Sequence, residues 1–367
     1  MEYRDFCNGT KTSLLGFGCM RFPTIDGKID EVTAEKMVDD AIKAGVNYID
    51  TAYPYHNGDS EPFVGRVLKK YPRESFYLAT KLPIWKLEKT EDIRTIFEDQ
   101  LQRLDVEYVD FYLLHALSKE RFETVKELKV IEECLKLKEE GKIKNLGFSF
   151  HDTYEVFDEI IHYYPWDFCQ IQFNYMDTDI QAGMDGYLLA KEMNIPMVIM
   201  EPIKGGNLSN IPADIDAHFK NYSPNASTSS WALRFVASKD NVKCVLSGMS
   251  TPEQVEDNLK TFKDFKPLSA KEEAIVATVK KELKARTNNG CTGCQYCMPC
   301  PMGVEIPKTF AYWNELARYN NYKQVHNAYI HLEKLADACV KCGKCEEACP
   351  QHLDIRNDLV KAHEDLK

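Results

Sequence analysis

The sequence is short of the features that mark several whole classes of protein. Gly and Pro number only 18 and 16 in 367 residues, which excludes collagen-like, low-complexity and disordered organisations. Lys and Arg never gather into a block, and at 46 against 57 acidic residues the formal charge is −11. The footprint of a nucleic-acid binder is therefore missing, and an anionic membrane surface is a poor partner. No apolar run approaches the roughly 18 residues of a spanning helix. Met1 to Ser13 is polar and charged, unlike a signal peptide. Such a chain is expected in the cytoplasm with its thiols reduced. No G-x-G-x-x-G turn occurs either; Gly16-Phe17-Gly18 stops short of one.

What is present begins with a regular alternation. Short apolar runs occur at Leu14 to Gly18, Tyr48 to Asp50, Phe76 to Thr80, Val109 to Leu114, Asn145 to Ser149, Phe168 to Phe173, Met197 to Met200 and Lys243 to Ser247. Between them lie amphipathic helical patterns such as Ala34 to Ala44, Glu123 to Glu140 and Tyr187 to Met193. Alternating β and α elements imply a parallel sheet, and eight repeats suit closure into a (β/α)₈ TIM barrel. An open doubly wound sheet is the alternative, but it would want the missing Gly-rich turn. Ahead of the first strand, Asn8-Gly9 reads as a hairpin turn that could plug the bottom of the barrel. Ser269-Ala270-Lys271-Glu272 has capping-box spacing and opens a last helix through Leu283. The barrel is expected over residues 1–285 and a second, smaller domain over 286–367.

The 13 cysteines divide along the same line. Cys7, Cys19, Cys134, Cys169 and Cys244 are scattered, and the rest fall between Cys291 and Cys349. Cys339-x-x-Cys342-x-x-Cys345-x-x-x-Cys349-Pro350 is the bacterial ferredoxin run. Cys291-x-x-Cys294-x-x-Cys297-x-x-Cys300-Pro301 is the same run with its last gap one residue short. Closely spaced thiolates wrap three corners of a cubane, and the Cys before Pro reaches across to the other cluster. By that rule Cys291, Cys294, Cys297 and Cys349 hold one 4Fe-4S cluster, and Cys339, Cys342, Cys345 and Cys300 a second. Structural zinc also takes C-x-x-C pairs, and disulfides compete weakly because no export signal is seen. The insert between the runs carries helical patterns from Lys308 to Ala317 and Tyr322 to Asp337. It resembles the α-helical ferredoxin modules of the fumarate-reductase type, so the tail is expected to be an α-helical, ferredoxin-like iron-sulfur domain.

Functional groups of a (β/α)₈ barrel belong at the C-terminal ends of its strands. Asp50 closes the second strand, Lys81 the third and His115 the fourth, one βα repeat apart each time. Tyr55 follows in the loop after Asp50. Asp50-Thr51-Ala52-x-x-Tyr55, Thr80-Lys81 and Leu113-Leu114-His115 resemble the catalytic segments of the aldo-keto reductases. The likeness runs to about residue 265, and the Cys-rich tail resembles the ferredoxin-bearing branch of that family. The resemblance implies carbonyl reduction with NAD(P)(H). A Tyr has a pKa near 10 and is a reluctant proton donor or acceptor at neutral pH. Lys81 is expected to lower it by stabilising the phenolate, Asp50 to hold Lys81, and His115 to hydrogen-bond the substrate carbonyl. Trp85 and Tyr53 are candidates for the pocket wall or for plain packing.

The same resemblance supplies a cofactor region. Ser247, Gly248 and Met249 would lie near the cofactor phosphates, at a turn feeding a helix N-terminus, and Gln254 and Asn258 near adenine. Ser149 and Gln172 match positions that bind the nicotinamide carboxamide. Two departures stand out: Phe150-His151 replaces the usual Asn, and Met200-Glu201-Pro202 replaces an aromatic that stacks on the ring. No Lys or Arg lies between 247 and 258, so a 2′-phosphate has no evident clamp there. A flavin is the alternative occupant. Iron-sulfur clusters pass single electrons whereas nicotinamide gives hydride, so direct exchange needs an intermediary. The leading expectation is an NAD(P)-dependent oxidoreductase of small carbonyl or alcohol substrates, fused to an electron-transfer module. The alternatives are a reductase fed by a redox partner protein and an inactive redox-sensing or docking scaffold.

Overall fold

The computed structural model describes residues 1–367. Eight parallel strands close into a barrel in chain order: β1 (Leu15–Gly18), β2 (Tyr48–Asp50), β3 (Tyr77–Leu82), β4 (Val109–Leu117), β5 (Ile143–Phe150), β6 (Phe168–Gln172), β7 (Met197–Met200) and β8 (Val242–Gly248). Closure is made by β8 against β1, with Val245 opposite Leu15 and Gly248 opposite Gly18. Each run read from the sequence is a strand, with its ends moved by up to three residues. The alternation of faces explains the two cores. Tyr48, Phe111, Phe168, Val198, Cys244 and Leu246 fill the barrel interior, while their neighbours in sequence meet the surrounding helices.

The N-terminal hairpin pairs Tyr3–Asp5 with Lys11–Ser13. Asn8 and Gly9 both take positive φ (49° and 77°), as a tight primed turn requires. Phe6 is carried into the barrel interior, 4.9 Å from the Phe111 ring and 5.7 Å from that of Phe168. Two helical expectations need correction. Glu123 to Glu140 is two helices, Lys119–Glu127 and Val130–Glu139, because Lys129 takes a left-handed conformation (φ 54°). Tyr322 to Asp337 stops at Ile330. There the Tyr329 hydroxyl accepts the Ala336 N–H at 3.0 Å, holding a reversal of the chain.

By backbone proximity the chain forms two compact units, Met1–Lys204 with Ser230–Ser269, and Gly205–Ser229 with Ala270–Lys367. The helix Ala270–Ala285 thus groups with the cysteine-bearing region. That region has its own core of Ile306, Phe310, Trp313, Tyr329, Ile355 and Leu359, drawn from the helices Ile306–Tyr319, Tyr322–Ile330 and Ile355–Leu366. No helix is long and apolar enough to cross a membrane.

Candidate active site and cysteine centres

Asp50, Tyr55, Lys81 and His115 meet at the C-terminal rim of the barrel. The extended β3 strand points Lys81 inward, where its Nζ donates to both oxygens of Asp50 at 2.8 and 2.9 Å and to the Thr51 carbonyl at 2.8 Å. Lys81 is 1% exposed and Asp50 2%, so this ion pair is dry. A turn closed by Tyr55 N–H on the Ala52 carbonyl (3.1 Å) returns Tyr55 toward the strand end. Lys81 Nζ then reaches Tyr55 Oη at 3.3 Å. His56 and Asn57 follow in left-handed conformations, and His56 Nε2 accepts the Phe22 N–H at 3.2 Å. The His115 ring stands edge-on to Tyr55 with centroids 6.2 Å apart.

The electrostatics follow from burial. It works against the Lys81 ammonium, yet Asp50 and Tyr55 outweigh it and hold Lys81 protonated, above its ordinary value. Burial lifts the Asp50 carboxyl, with Lys81 pulling it back. Tyr55 differs from the sequence expectation: burial dominates and raises its pKa, and Lys81 only reduces the rise while Asp50 adds to it. Tyr55 is therefore a protonated acid. His115 is driven well below 6.5 by burial, then by Lys81 and Arg121. It is neutral at physiological pH, and its Nδ1 is buried without a partner. Above these groups opens a cleft of about 410 Å³, lined by residues including Met20, Tyr55, His56, Trp85, His115 and Arg121. Trp85 lies on the cleft, its ring 5.0 Å from His115. Tyr53 is instead clasped between Lys86 and Arg103.

The residues named for the cofactor are partly occupied with one another. Ser149 Oγ accepts the N–H of Ala116 at 2.7 Å, fixing the left-handed residue (φ 54°) that follows His115. Gln172 donates to Asp177, which Lys204 holds through both oxygens. Ser247 Oγ accepts from Asn258 at 2.7 Å, and Met249 is buried. Gln254 accepts the Ser250 N–H at 2.7 Å, just ahead of the helix Pro252–Lys263 that Thr251 caps. Two groups escaped the sequence reading. Gln170, two residues before Gln172, is 2% exposed and its Oε1 has no partner. Arg21 lies across Gly248, its Cγ 3.2 Å from where a Cβ would stand. Closure of β8 on β1 brings Arg21 to a segment that carries no cation of its own; the β1 end was the place to look.

In the second unit the cysteines ring two cavities. Cys291, Cys294, Cys297 and Cys349 line one. Cys300, Cys339, Cys342 and Cys345, joined by Cys297, line the other, of about 250 Å³. Burial, with Cys291 and Cys345 close by, pushes the Cys297 thiol up to about 11. No three of these or other His, Cys, Asp or Glu side chains converge as they would on a single metal ion. Thiols spread around a cavity suit a polynuclear cluster, which is several ångströms across and takes one sulfur at each corner.

The closed barrel is that of a family of oxidoreductases, as comparison with known proteins shows. The chain belongs to the aldo/keto reductase family, whose model matches residues 14–281, and residues 290–353 match the 4Fe-4S dicluster domain. A probable aldo-keto reductase 1 of Glycine max is 34% identical over 54% of this chain and 58% of its own length. The NADH-specific methylglyoxal reductase of Escherichia coli is 26% identical over 65% of this chain and 85% of its own. The L-galactose dehydrogenase of Arabidopsis thaliana is 25% identical over 75% and 92%. Among solved structures, the holo form of an aldo-keto reductase from Bacillus halodurans superposes with a TM-score of 0.65 at 26% identity, covering 76% of this chain and 96% of that one.

Proposed function

We propose that the barrel interconverts a carbonyl and an alcohol with NAD(P)(H), Tyr55 serving as general acid in reduction and general base in oxidation. The observation that carries this is the dry Lys81–Asp50 pair 3.3 Å from the Tyr55 hydroxyl, facing an open cleft shared with His115. The bound nicotinamide would supply hydride to the carbonyl carbon. As negative charge grows on the substrate oxygen, Tyr55 Oη delivers its proton there, and Lys81 stabilises the phenolate left behind. Neutral His115 donates to the same oxygen and fixes its direction. The oxygen thus gains one proton and the carbon one hydride, giving the alcohol. Asp50 keeps Lys81 charged and aimed.

For the cofactor, the unpartnered Gln170 Oε1 suits a carboxamide N–H, beside Ser149 and Gln172. Ser247, Gly248 and Met249, with Arg21 across them, suit the phosphates, and Gln254 and Asn258 the adenine side. The names of the relatives cover both directions, reduction of methylglyoxal and dehydrogenation of L-galactose. Residues 1–285 would form the reductase part and 286–367 a cytoplasmic electron-transfer module with two 4Fe-4S clusters. The test is anaerobic titration of the holoprotein with NADH and NADPH by fluorescence, followed by turnover of a carbonyl panel. Binding with turnover supports the reading, and binding without turnover points to a scaffold.

The eight cysteines around two cavities favour a second reading, in which a redox partner protein feeds electrons through the clusters to the barrel by way of a flavin. Flavin retained on purification would favour it.

A further inference from the structure

Arg121 takes no part in the chemistry above beyond helping to keep His115 neutral, yet it lines the active-site cleft. It stands in the first turn of the helix Lys119–Glu127, where Ser118 Oγ accepts its backbone N–H. A cation there is opposed by the positive end of the helix dipole. Its side-chain partners are the Ala116 carbonyl, 2.7 Å from Nη1, and the face of Trp85, 4.9 Å away. Neither is negatively charged, and the cleft is lined by no carboxylate. The neighbouring Asp152 is committed to the backbone N–H groups of Lys119 and Thr153, each at 2.8 Å. Five N–H donors leave a guanidinium with several to spare after one carbonyl.

We propose that Arg121 is a specificity-determining residue that binds the anionic group of the substrate, so that the substrate class is the oxo-carboxylates: an aldehyde or ketone carrying a carboxylate. Trp85 touches both groups, its ring 5.0 Å from that of His115 and 4.9 Å from the Arg121 guanidinium, so a carbonyl held by Tyr55 and His115 leaves the substrate's carboxylate to the Arg121 fork. The helix N-terminus that disfavours Arg121 alone favours the bound anion. This assignment rests on the carbonyl-reductase reading of the barrel.

The test uses the anaerobic holoprotein and three carboxybenzaldehydes (ortho, meta and para) with their methyl esters. For the best-placed isomer, kcat/KM should exceed that of its ester by about tenfold or more, the usual worth of a charge-assisted pair. Arg121→Gln keeps a donor for Ala116 but loses the charge, and should collapse that ratio toward one. Arg121→Lys should retain part of it. Damaged packing would lower acid and ester together and leave the ratio standing, which would overturn the proposal, as would a wild-type ratio near one. If no aldehyde is turned over, the reductase reading fails. Calorimetric binding of benzoate against benzamide then decides this one. Benzoate bound about tenfold tighter, with the difference lost in Arg121→Gln, supports it, and equal binding overturns it.

Discussion

Replacing Lys81 by Met removes an ammonium that donates to both Asp50 oxygens, to the Thr51 carbonyl and to Tyr55. Asp50, 2% exposed, is left as a buried carboxylate without a counter-ion. Breaking a buried pair in this way costs about 3 to 5 kcal/mol. At about 2 to 4 °C per kcal/mol for a domain of 150 to 250 residues, Tm should fall by about 6 to 20 °C. The loss has a pH signature. The Asp50 carboxyl is already raised by burial, and without Lys81 it climbs further above the value of about 3.9 in the unfolded chain. A carboxyl raised in the folded state stabilises it below the unfolded value and loses that contribution as pH rises through the folded one. The deficit of the variant should therefore be smallest near pH 4 and widen toward neutrality. Asp50→Asn combined with Lys81→Met removes both charges and should recover much of the Tm without recovering activity. The assay is thermal melting by circular dichroism between about pH 4 and pH 8, with cluster absorbance followed separately. A Lys81→Met protein melting within about 2 °C of wild type, or a double variant no more stable than the single one, would mean that Asp50 does not depend on Lys81 as its counter-ion.

Other outcomes follow from the same geometry. Because His115 is pushed well below 6.5, folding must lose stability as pH falls from about 6.5 toward its folded value, and His115→Gln should flatten that acid limb in melting curves. With Tyr55 raised above its ordinary value, alcohol oxidation should accelerate with pH into the alkaline range while reduction stays level near neutrality. Lys81→Met should move the oxidation limb higher still, as read from kcat/KM profiles. Gly147→Ala would set a Cβ 2.6 Å from the Phe168 carbonyl oxygen and should cost about 1 to 3 kcal/mol by denaturant titration. Anaerobically purified protein should carry about eight iron atoms per chain, and chelation should bleach the visible absorbance without unfolding the barrel. Adding NADPH or NADH alone should leave that absorbance unbleached unless flavin is retained.

The barrel was legible because its signal is repeated eight times, each run bounded by amphipathic helix and confirmed by its neighbours. Local breaks were not. Lys129 sits inside an unbroken amphipathic pattern from Glu123 to Glu140, and nothing in its chemistry announces a left-handed turn. The sequence also placed Asp50, Lys81 and His115 at strand ends, because position on a strand follows from alternation alone. What alternation omits is the sign of competing terms. That Lys81 lowers the Tyr55 pKa is simple chemistry, but that burial outweighs it depends on atoms brought from several strands. Arg21 and Arg121 escaped for a related reason. Each acts on a segment far from it in sequence or one helical turn away, reached only when the barrel closes or the first turn forms.

Proton transfer by Tyr55 is probed by Tyr55→Phe in the anaerobic holoprotein, with carbonyl reduction followed by the loss of nicotinamide absorbance. Without its proton donor the variant should lose about 100-fold or more in kcat, the usual worth of a positioned acid. Nucleotide binding, measured by fluorescence titration, should be unchanged. An undiminished kcat in Tyr55→Phe would mean that another group supplies the proton.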